Sequence, residues 1–309
     1  MPTPARSIAT YIDGRPADRV IPFGSNSMQH GTAVFEGIRC YATPHGPAIF
    51  RLDDHLARLL GSARTLGIAH RYDHAALKAI VVGAARESGL ADCYLRPVVF
   101  TPDPLLDINL AAREFTAAVE VWPAPTATPF AQEGARLTVS SWCRPSRRSL
   151  PSHVKATGTY VASAMARTAA TEAGFHDALQ LDPHSGRVAE ATVANVFLVL
   201  GGRLHTPWPL DSLLPGITRD TVLRLARDLG VETSEGPVEV GDLYAAQEVF
   251  LTGTASELVP VAALDEHSFP GDRPTFRLLW EEYRATVTGR RPGRQGWLTP
   301  ISADNPPPN

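Results

Sequence analysis

The chain is 309 residues long, with 44% hydrophobic and 20% charged residues; this excludes a disordered polymer and, at about 100–200 residues per domain, allows one large or two medium cores. Its 29 Lys+Arg against 32 Asp+Glu leave a formal charge of -3, so no electrostatic field draws it to nucleic acid or anionic lipid. No run reaches the roughly 18–20 apolar residues that span a bilayer, the N-terminus has no signal-peptide block, and Cys40, Cys93 and Cys143 lack CxxC spacing, so a cytoplasmic protein with reduced thiols and no zinc knuckle is expected.

In chain order, Ser7–Asp13 and Pro47–Leu52 read as short strands with turn residues between them. Asp53 or Asp54 caps a helix carrying Leu56, Leu59, Leu60, Ala63 and Leu66, and Asp73 opens a second with Leu77, Ile80, Val81 and Ala84 that stops at Gly89. Strands follow at Cys93–Thr101 and Phe115–Trp122. The Pro- and Thr-rich stretch after Trp122 cannot continue a sheet and reads as a connector. The expected division is a domain over 1–125, a connector over 126–134 and a second domain over 135–309.

Beyond the connector, strands are expected at Arg136–Trp142 and Asp177–Leu181, with an Ala-rich helix from about Gly158 to Glu172 between them. Gly201-Gly202 between Val193–Leu200 and Arg203–Thr206 is a hairpin signal. A helix over Gly216–Leu229, strands at Glu248–Leu251 and Glu257–Ala263 around a Gly253 turn, and a helix over Pro274–Val287 complete the chain, with a frayed Pro306-Pro307-Pro308 tail.

Among the 29 basic residues only Lys78 and Lys155 are lysines. Arginine stays protonated, so a side-chain amine nucleophile can come only from these two. Lys78 sits beside a helix stripe, whereas Lys155 lies in Pro151-Ser-His-Val-Lys155-Ala-Thr-Gly-Thr-Tyr160, among small residues that admit a flat ring. A Schiff-base lysine needs an anchored carbonyl partner. Leu214-Pro-Gly-Ile217-Thr218 at a helix entrance offers N–H groups and a positive dipole end to a phosphate, and Thr252-Gly-Thr254-Ala255 offers a second small-residue turn. Arg51, ending Ile49-Phe50-Arg51, adds a bidentate clamp, and Glu190, preceding an apolar strand, suits a pyridinium nitrogen, with an ordinary turn carboxylate as the alternative.

The motifs Phe35-Glu-Gly-Ile-Arg-Cys-Tyr41, Tyr94-Leu-Arg96-Pro97, Lys155 with Tyr160, Glu190 with Asn195, Leu214-Pro-Gly-Ile-Thr218 and Gly253-Thr-Ala-Ser-Glu257 together resemble the class IV, fold-type IV pyridoxal-phosphate aminotransferases, and among them the branched-chain amino acid enzymes. The likeness runs in order from about Tyr11 to Leu298. It implies a two-domain α/β (α+β) protein with the D-amino acid aminotransferase-like fold, a homodimer with pyridoxal 5'-phosphate between its domains. By position, Lys155 forms the Schiff base and shuttles the proton, Arg51, Ile217, Thr218 and Thr254 hold the phosphate, Tyr160 bonds the phenolic oxygen, and Glu190 with Asn195 serves the ring nitrogen. The likeness places His30, Phe35, Tyr94, Arg96, Thr254 and Ala255 around the substrate, an L-amino acid or a 2-oxo acid such as 2-oxoglutarate, with Arg96 receiving a second carboxylate.

Several features depart from the branched-chain pattern: the regions Thr101–Arg113 and Pro123–Gln132 lack the usual family wording, His30 stands where a tyrosine is usual, and Ala191-Thr-Val-Ala194 replaces a Gly-rich run. The Ala191–Ala194 run is closer to D-amino acid or (R)-amine transaminases and aminodeoxychorismate-lyase-like members of the fold, which remain the alternative reading. A noncatalytic nucleotide-binding protein is the reading from another class, and no Walker loop or GxGxxG supports it.

Overall fold

The computed structural model describes residues 6–18, 21–104, 107–124 and 133–301. Most of the connector at 126–134, Leu105-Leu106 and the Pro306–Pro308 tail lie outside the described residues. The chain divides into two compact units, one of Met1–Thr126, Val154–Gly158 and Ala285–Asn309, the other of Ala127–His153 and Thr159–Arg284. This differs from a purely sequential division: the short segment bearing Lys155 and the C-terminal stretch both group with the first unit.

The first unit contains β1 (Ala9–Ile12), β2 (Arg15–Pro16), α1 (Asn26–His30), β3 (Val34–Phe35), β4 (Ile38–Tyr41), β5 (Ala48–Phe50), α2 (Leu52–Thr65), α3 (His74–Glu87), β6 (Cys93–Phe100) and β7 (Thr116–Pro123). Its sheet runs, in spatial order, Leu298–Pro300, β5, β4, β6, β7, β1, β2, with β3 paired to β6. All pairings are antiparallel. Strand side chains alternate, so β6 buries Cys93, Leu95 and Val99 in a core with Leu56 and Leu59 of α2 and Leu77 and Val81 of α3, and turns Tyr94 and Arg96 to the other face. Val154 and Ala156 join the same core and leave Lys155 between them half-buried. The strands β3 and β4 escape the sequence reading because Glu36-Gly37 interrupts them; β3 is held by β6, at Val34↔Val99 and Phe35↔Val98.

The second unit contains β8 (Ala135–Val139), α4 (Tyr160–Glu172), β9 (Asp177–Leu181), β10 (Val188–Ala191), β11 (Asn195–Leu200), β12 (Arg203–Pro207), α5 (Ile217–Asp228), β13 (Thr233–Gly236), α6 (Val240–Ala245), β14 (Glu248–Gly253), β15 (Glu257–Leu264), β16 (His267–Ser268) and α7 (Pro274–Val287, up to Arg284 in this unit). The sheet order is β10, β9, β8, β15, β14, β11, β12, β13, with β16 on β15. The pairs β8–β9, β8–β15 and β12–β13 are parallel. Parallel neighbours need a crossover; α4 lies in the β8–β9 connection and α5 in the β12–β13 connection. The central strands β11 and β14 are buried on both faces, which explains their unbroken apolar runs, and Phe197 stacks on Phe250 at 5.2 Å. Gly201 and Gly202 both take positive φ, 59° and 78°, as the hairpin between β11 and β12 demands. No helix among the described residues is long and apolar enough to cross a membrane.

Candidate active site

In the first unit the peptide groups of Lys155 are tied down on both sides. Its N–H donates to Ser62 Oγ of α2 at 3.1 Å, and its carbonyl accepts the Phe35 N–H at 3.0 Å. Thr157 N–H then donates to Ala33 O at 2.9 Å, and Ala156 forms a bridge with Val34. The segment therefore runs as an added edge along the Ala33–Phe35 stretch. The Lys155 Nζ stands 4.8 Å from the centre of the Phe35 ring. The other lysine is spent at the surface, where Lys78 Nζ pairs with Asp53 at 2.9 Å.

Arg51 is not the last residue of a strand but the junction between β5 and α2, in the left-handed region at φ 49°. A non-glycine residue held there costs on the order of 1–3 kcal/mol, which the surroundings must impose. They do so by burying Arg51, pairing its Nε with Asp54 at 2.8 Å, laying its guanidinium 5.1 Å over Trp297, and drawing its N–H to Trp297 O at 2.6 Å.

Phe35, Tyr94 and Arg96 come together, joined by Trp122. The Arg96 guanidinium lies 5.0, 5.5 and 5.6 Å from the rings of Phe35, Tyr94 and Trp122, and its Nη2 donates to Tyr94 Oη at 3.1 Å. Gly37 makes room for this: a Cβ there would overlap the Tyr94 hydroxyl and come within 2.8 Å of Cζ. His30 closes α1 on the exposed surface, its Nδ1 3.2 Å from Asn26 O.

Sequence reasoning missed the charged group behind Phe35. Glu36 is 0% exposed and is held by Arg58, with Nε–Oε1 2.6 Å and Nη2–Oε2 2.8 Å, and by the His55 Nδ1–H at 2.8 Å. Burial works to raise the Glu36 carboxyl, but the Arg58 charge and the hydrogen bonds overcome it and hold it well below the usual carboxylate range. Burial pushes His55 below its ordinary value against the opposing pull of Glu36, so the imidazole is neutral and donates through Nδ1. The signal in the sequence was faint: His55 and Arg58 stand three apart on a helix whose apolar stripe they interrupt.

In the second unit Glu190 lies not in a turn but on β10, opposite Gln180 of β9 with a register shift beside it, the kind of bulge that re-aims a side chain. Its carboxylate is buried and engaged at both oxygens. Oε1 pairs with Arg144 Nε at 3.0 Å and accepts Leu214 N–H at 3.2 Å, while Oε2 accepts Asn195 Nδ2 at 2.9 Å. Asn195 also donates to Leu214 O at 2.9 Å, so Glu190, Asn195 and the turn into α5 are one unit of structure. Arg144 further reaches Ser163 Oγ at 3.3 Å; nothing in Trp142-Cys143-Arg144 marked it beforehand. Gly216 precedes α5 without a side-chain cap, and a Cβ there would overlap Asn195 Oδ1. Ile217 and Thr218 form the first turn of α5, both buried. Tyr160 opens α4 half-buried. Thr254 and Ala255 occupy the β14–β15 turn, half-buried and exposed respectively. Thr252, across from Asn195, is 1% exposed and its hydroxyl has no partner among the described residues. No group of three or more His, Cys, Asp or Glu among the described residues could hold a metal ion.

Residues 33–264 match the family model of amino-transferase class IV. The branched-chain-amino-acid aminotransferase of Salmonella typhimurium is 33% identical over 284 residues, 90% of this chain and 92% of that protein. The crystal structure of the branched-chain aminotransferase from Thermoproteus uzoniensis with norvaline aligns at a TM-score of 0.91 and 34% identity, over 96% of this chain and 100% of that one. The T.th. branched-chain amino acid aminotransferase, complexed with N-(5'-phosphopyridoxyl)-L-glutamate, aligns at 0.90 and 34% identity, over 97% and 100%. The chain belongs to the class IV aminotransferases, which depend on pyridoxal 5'-phosphate. Within that family it is similar to the branched-chain-amino-acid aminotransferases.

Proposed function

We propose that the protein transfers an amino group between a branched-chain-like L-amino acid and a 2-oxo acid such as 2-oxoglutarate, with Lys155 as the amine that holds the cofactor. The residues present fit that cofactor. Glu190 is an acceptor for a protonated ring nitrogen, the N-terminal turn of α5, whose cap residue Gly216 has no side chain, suits a phosphate, and the buried Thr252 hydroxyl, without a partner among the described residues, is a polar atom across from Asn195. When bound, pyridoxal 5'-phosphate supplies the electron sink that no side chain offers.

One observation carries the reading: of the chain's two lysines, Lys78 is consumed by a surface ion pair, while Lys155 has both peptide groups anchored and its amine over an aromatic ring. Lys155 Nζ would hold the cofactor covalently, and as a free amine would serve as the base and acid that moves the proton taken from the substrate Cα. Glu190 accepts the ring N–H and keeps that nitrogen protonated; Arg144, Asn195 and Leu214 N–H fix the carboxylate. Tyr160 donates to the phenolic oxygen. Arg51, Thr218 and Thr254 and the Ile217 N–H hold the phosphate. Phe35, Tyr94 and Ala255 bound the substrate side chain, and Arg96 receives the distal carboxylate of a dicarboxylate, with His30 at the rim. The relatives solved with norvaline and with a phosphopyridoxyl-glutamate adduct support both substrate types.

Borohydride reduction of the holoenzyme followed by peptide mass analysis tests this. The tag is expected on Lys155, and Lys155→Ala is expected to retain the fold by circular dichroism and lose turnover. A tag on Lys78, or near-normal turnover by Lys155→Ala, overturns the assignment. Loss of visible absorbance on adding single amino acids reports the substrate; a faster response to D- than to L-leucine overturns the stereochemical part.

A further inference from the structure

Ser62 is an anomaly on its helix. It is 1% exposed, on the face of α2 that carries Leu56, Leu59 and Ala63 into the core. A hydroxyl buried among apolar groups is costly unless it is hydrogen-bonded, and alanine would fill the same space at no such cost. What the hydroxyl does there is accept the peptide N–H of Lys155, 93 residues away in sequence.

The rest of that face has related duties. Arg51, His55, Arg58 and Ser62 follow one another at the spacing that lines up side chains on one side of a helix. Arg51 is tied to Trp297; His55 and Arg58 clamp Glu36, whose neighbour Phe35 donates its N–H to the Lys155 carbonyl; Ser62 takes the Lys155 N–H. The backbone of Lys155 is thus held from α2 at its N–H, directly, and at its carbonyl, through Phe35. An amine at the end of a four-carbon chain is only as well aimed as the Cα–Cβ bond it hangs from.

We propose that Ser62 is a positioning residue for Lys155: its hydroxyl, set by α2, fixes the direction from which the lysine amine reaches the reacting atoms. The inference rests on the reading of Lys155 given above. Displacing a reacting group by about 1 Å costs up to about 100-fold in rate, and losing one of two backbone anchors is expected to cost about tenfold.

The test uses holoenzymes of Ser62→Ala, Ser62→Cys and Ser62→Thr, with Ala84→Gly, a buried α3 position away from Lys155, as a control for lost stability. Ser62→Ala is expected to bind pyridoxal phosphate, to lose about tenfold in kcat for L-leucine with KM within about twofold, and to change the amplitude of the visible circular dichroism of the bound cofactor, which reports its orientation on the lysine. Ser62→Thr, which keeps the acceptor, is expected to restore most of kcat and the wild-type spectrum. Ser62→Cys keeps the volume and weakens the acceptor, so it falls between, and it serves alone if Ser62→Ala does not fold. Ala84→Gly is expected to melt earlier with unchanged kcat and spectrum. Wild-type kcat and visible dichroism in both Ser62→Ala and Ser62→Cys overturn the proposal, as does an Ala84→Gly variant that loses kcat in step with its stability. The borohydride tag separates the two levels: wild type untagged at Lys155 removes the underlying reading, whereas wild type tagged there with an indifferent Ser62 removes only this inference.

Discussion

Gly37→Ala tests how the proposed substrate side of the site is built. Gly37 lies between β3 and β4 and faces the tip of Tyr94; the added methyl would overlap the hydroxyl and stand 2.8 Å from Cζ and 3.2 Å from Cε2. Ordinary contact begins near 3.4 Å, so Cζ must retreat by about 0.6 Å and the hydroxyl by more. The ring is stiff, leans edge-on against Trp122 at 6.0 Å and carries the Arg96 hydrogen bond at 3.1 Å, so the retreat moves Arg96 too. Overpacking of this kind costs about 1–3 kcal/mol of stability, and loss of a hydrogen bond to a charged group about 1.5–3 kcal/mol wherever that geometry is needed. Because about 1.4 kcal/mol is tenfold, the KM for glutamate is expected to rise about tenfold or more, with a smaller change for L-leucine, which has no distal carboxylate. Steady-state kinetics with both donors, alongside thermal melting, provide the measurement. Tyr94→Phe in the Gly37→Ala background removes the worst overlap but leaves the Cζ contact, so it is expected to recover part of the stability and none of the glutamate preference. A Gly37→Ala variant as stable as wild type, with KM unchanged for both donors, would show that Tyr94 is not confined as described.

The buried pair in the second unit has its own signature. Arg144→Met leaves the Glu190 carboxylate without a charged partner and is expected to cost about 3–5 kcal/mol in urea unfolding, whereas replacing both residues by methionine recovers most of it; a loss below about 1 kcal/mol for the single variant refutes the pairing. In the first unit, Glu36 and His55 both have folded-state pKa values below their ordinary ones, so the unfolded chain binds protons that the folded chain refuses. Their stabilisation is present at neutral pH and is lost as pH falls, first below about 6.5 as the unfolded histidine protonates, then below about 4.3 as the unfolded glutamate does. Urea midpoints measured from pH 7 to 4 are expected to fall accordingly, and His55→Gln to flatten the upper part of the curve; an unchanged slope between pH 6.5 and 5 contradicts the neutral buried imidazole.

Local chemistry made much of the fold legible. The apolar stripes of α2, α3, α5 and α7 and the long strands β6, β7, β11, β14 and β15 follow from side-chain period alone, since each must bury one face or both. Short pieces did not: β3, β10 and β13 have two to four residues each, and their extended form is imposed by neighbours distant in sequence. The strand expected to reach Trp142 stops at Val139, where the Ser140 side chain accepts the Trp142 N–H and turns the chain.

The order of six motifs pointed to the cofactor and the family, and scarcity of lysine singled out Lys155 as the candidate amine, because those depend on which residue types exist in the chain. The partners of those residues could not be read in the same way. That Glu190 meets Arg144, that Glu36 is clamped by His55 and Arg58, and that a buried serine of α2 takes the peptide N–H of Lys155 are contacts between segments far apart along the chain. Sequence therefore determined the chemical repertoire, which is a property of side chains taken singly. Only the tertiary structure decided which charges are neutralised and which backbone groups are anchored, because desolvation and hydrogen-bond geometry exist only once the chain has closed on itself.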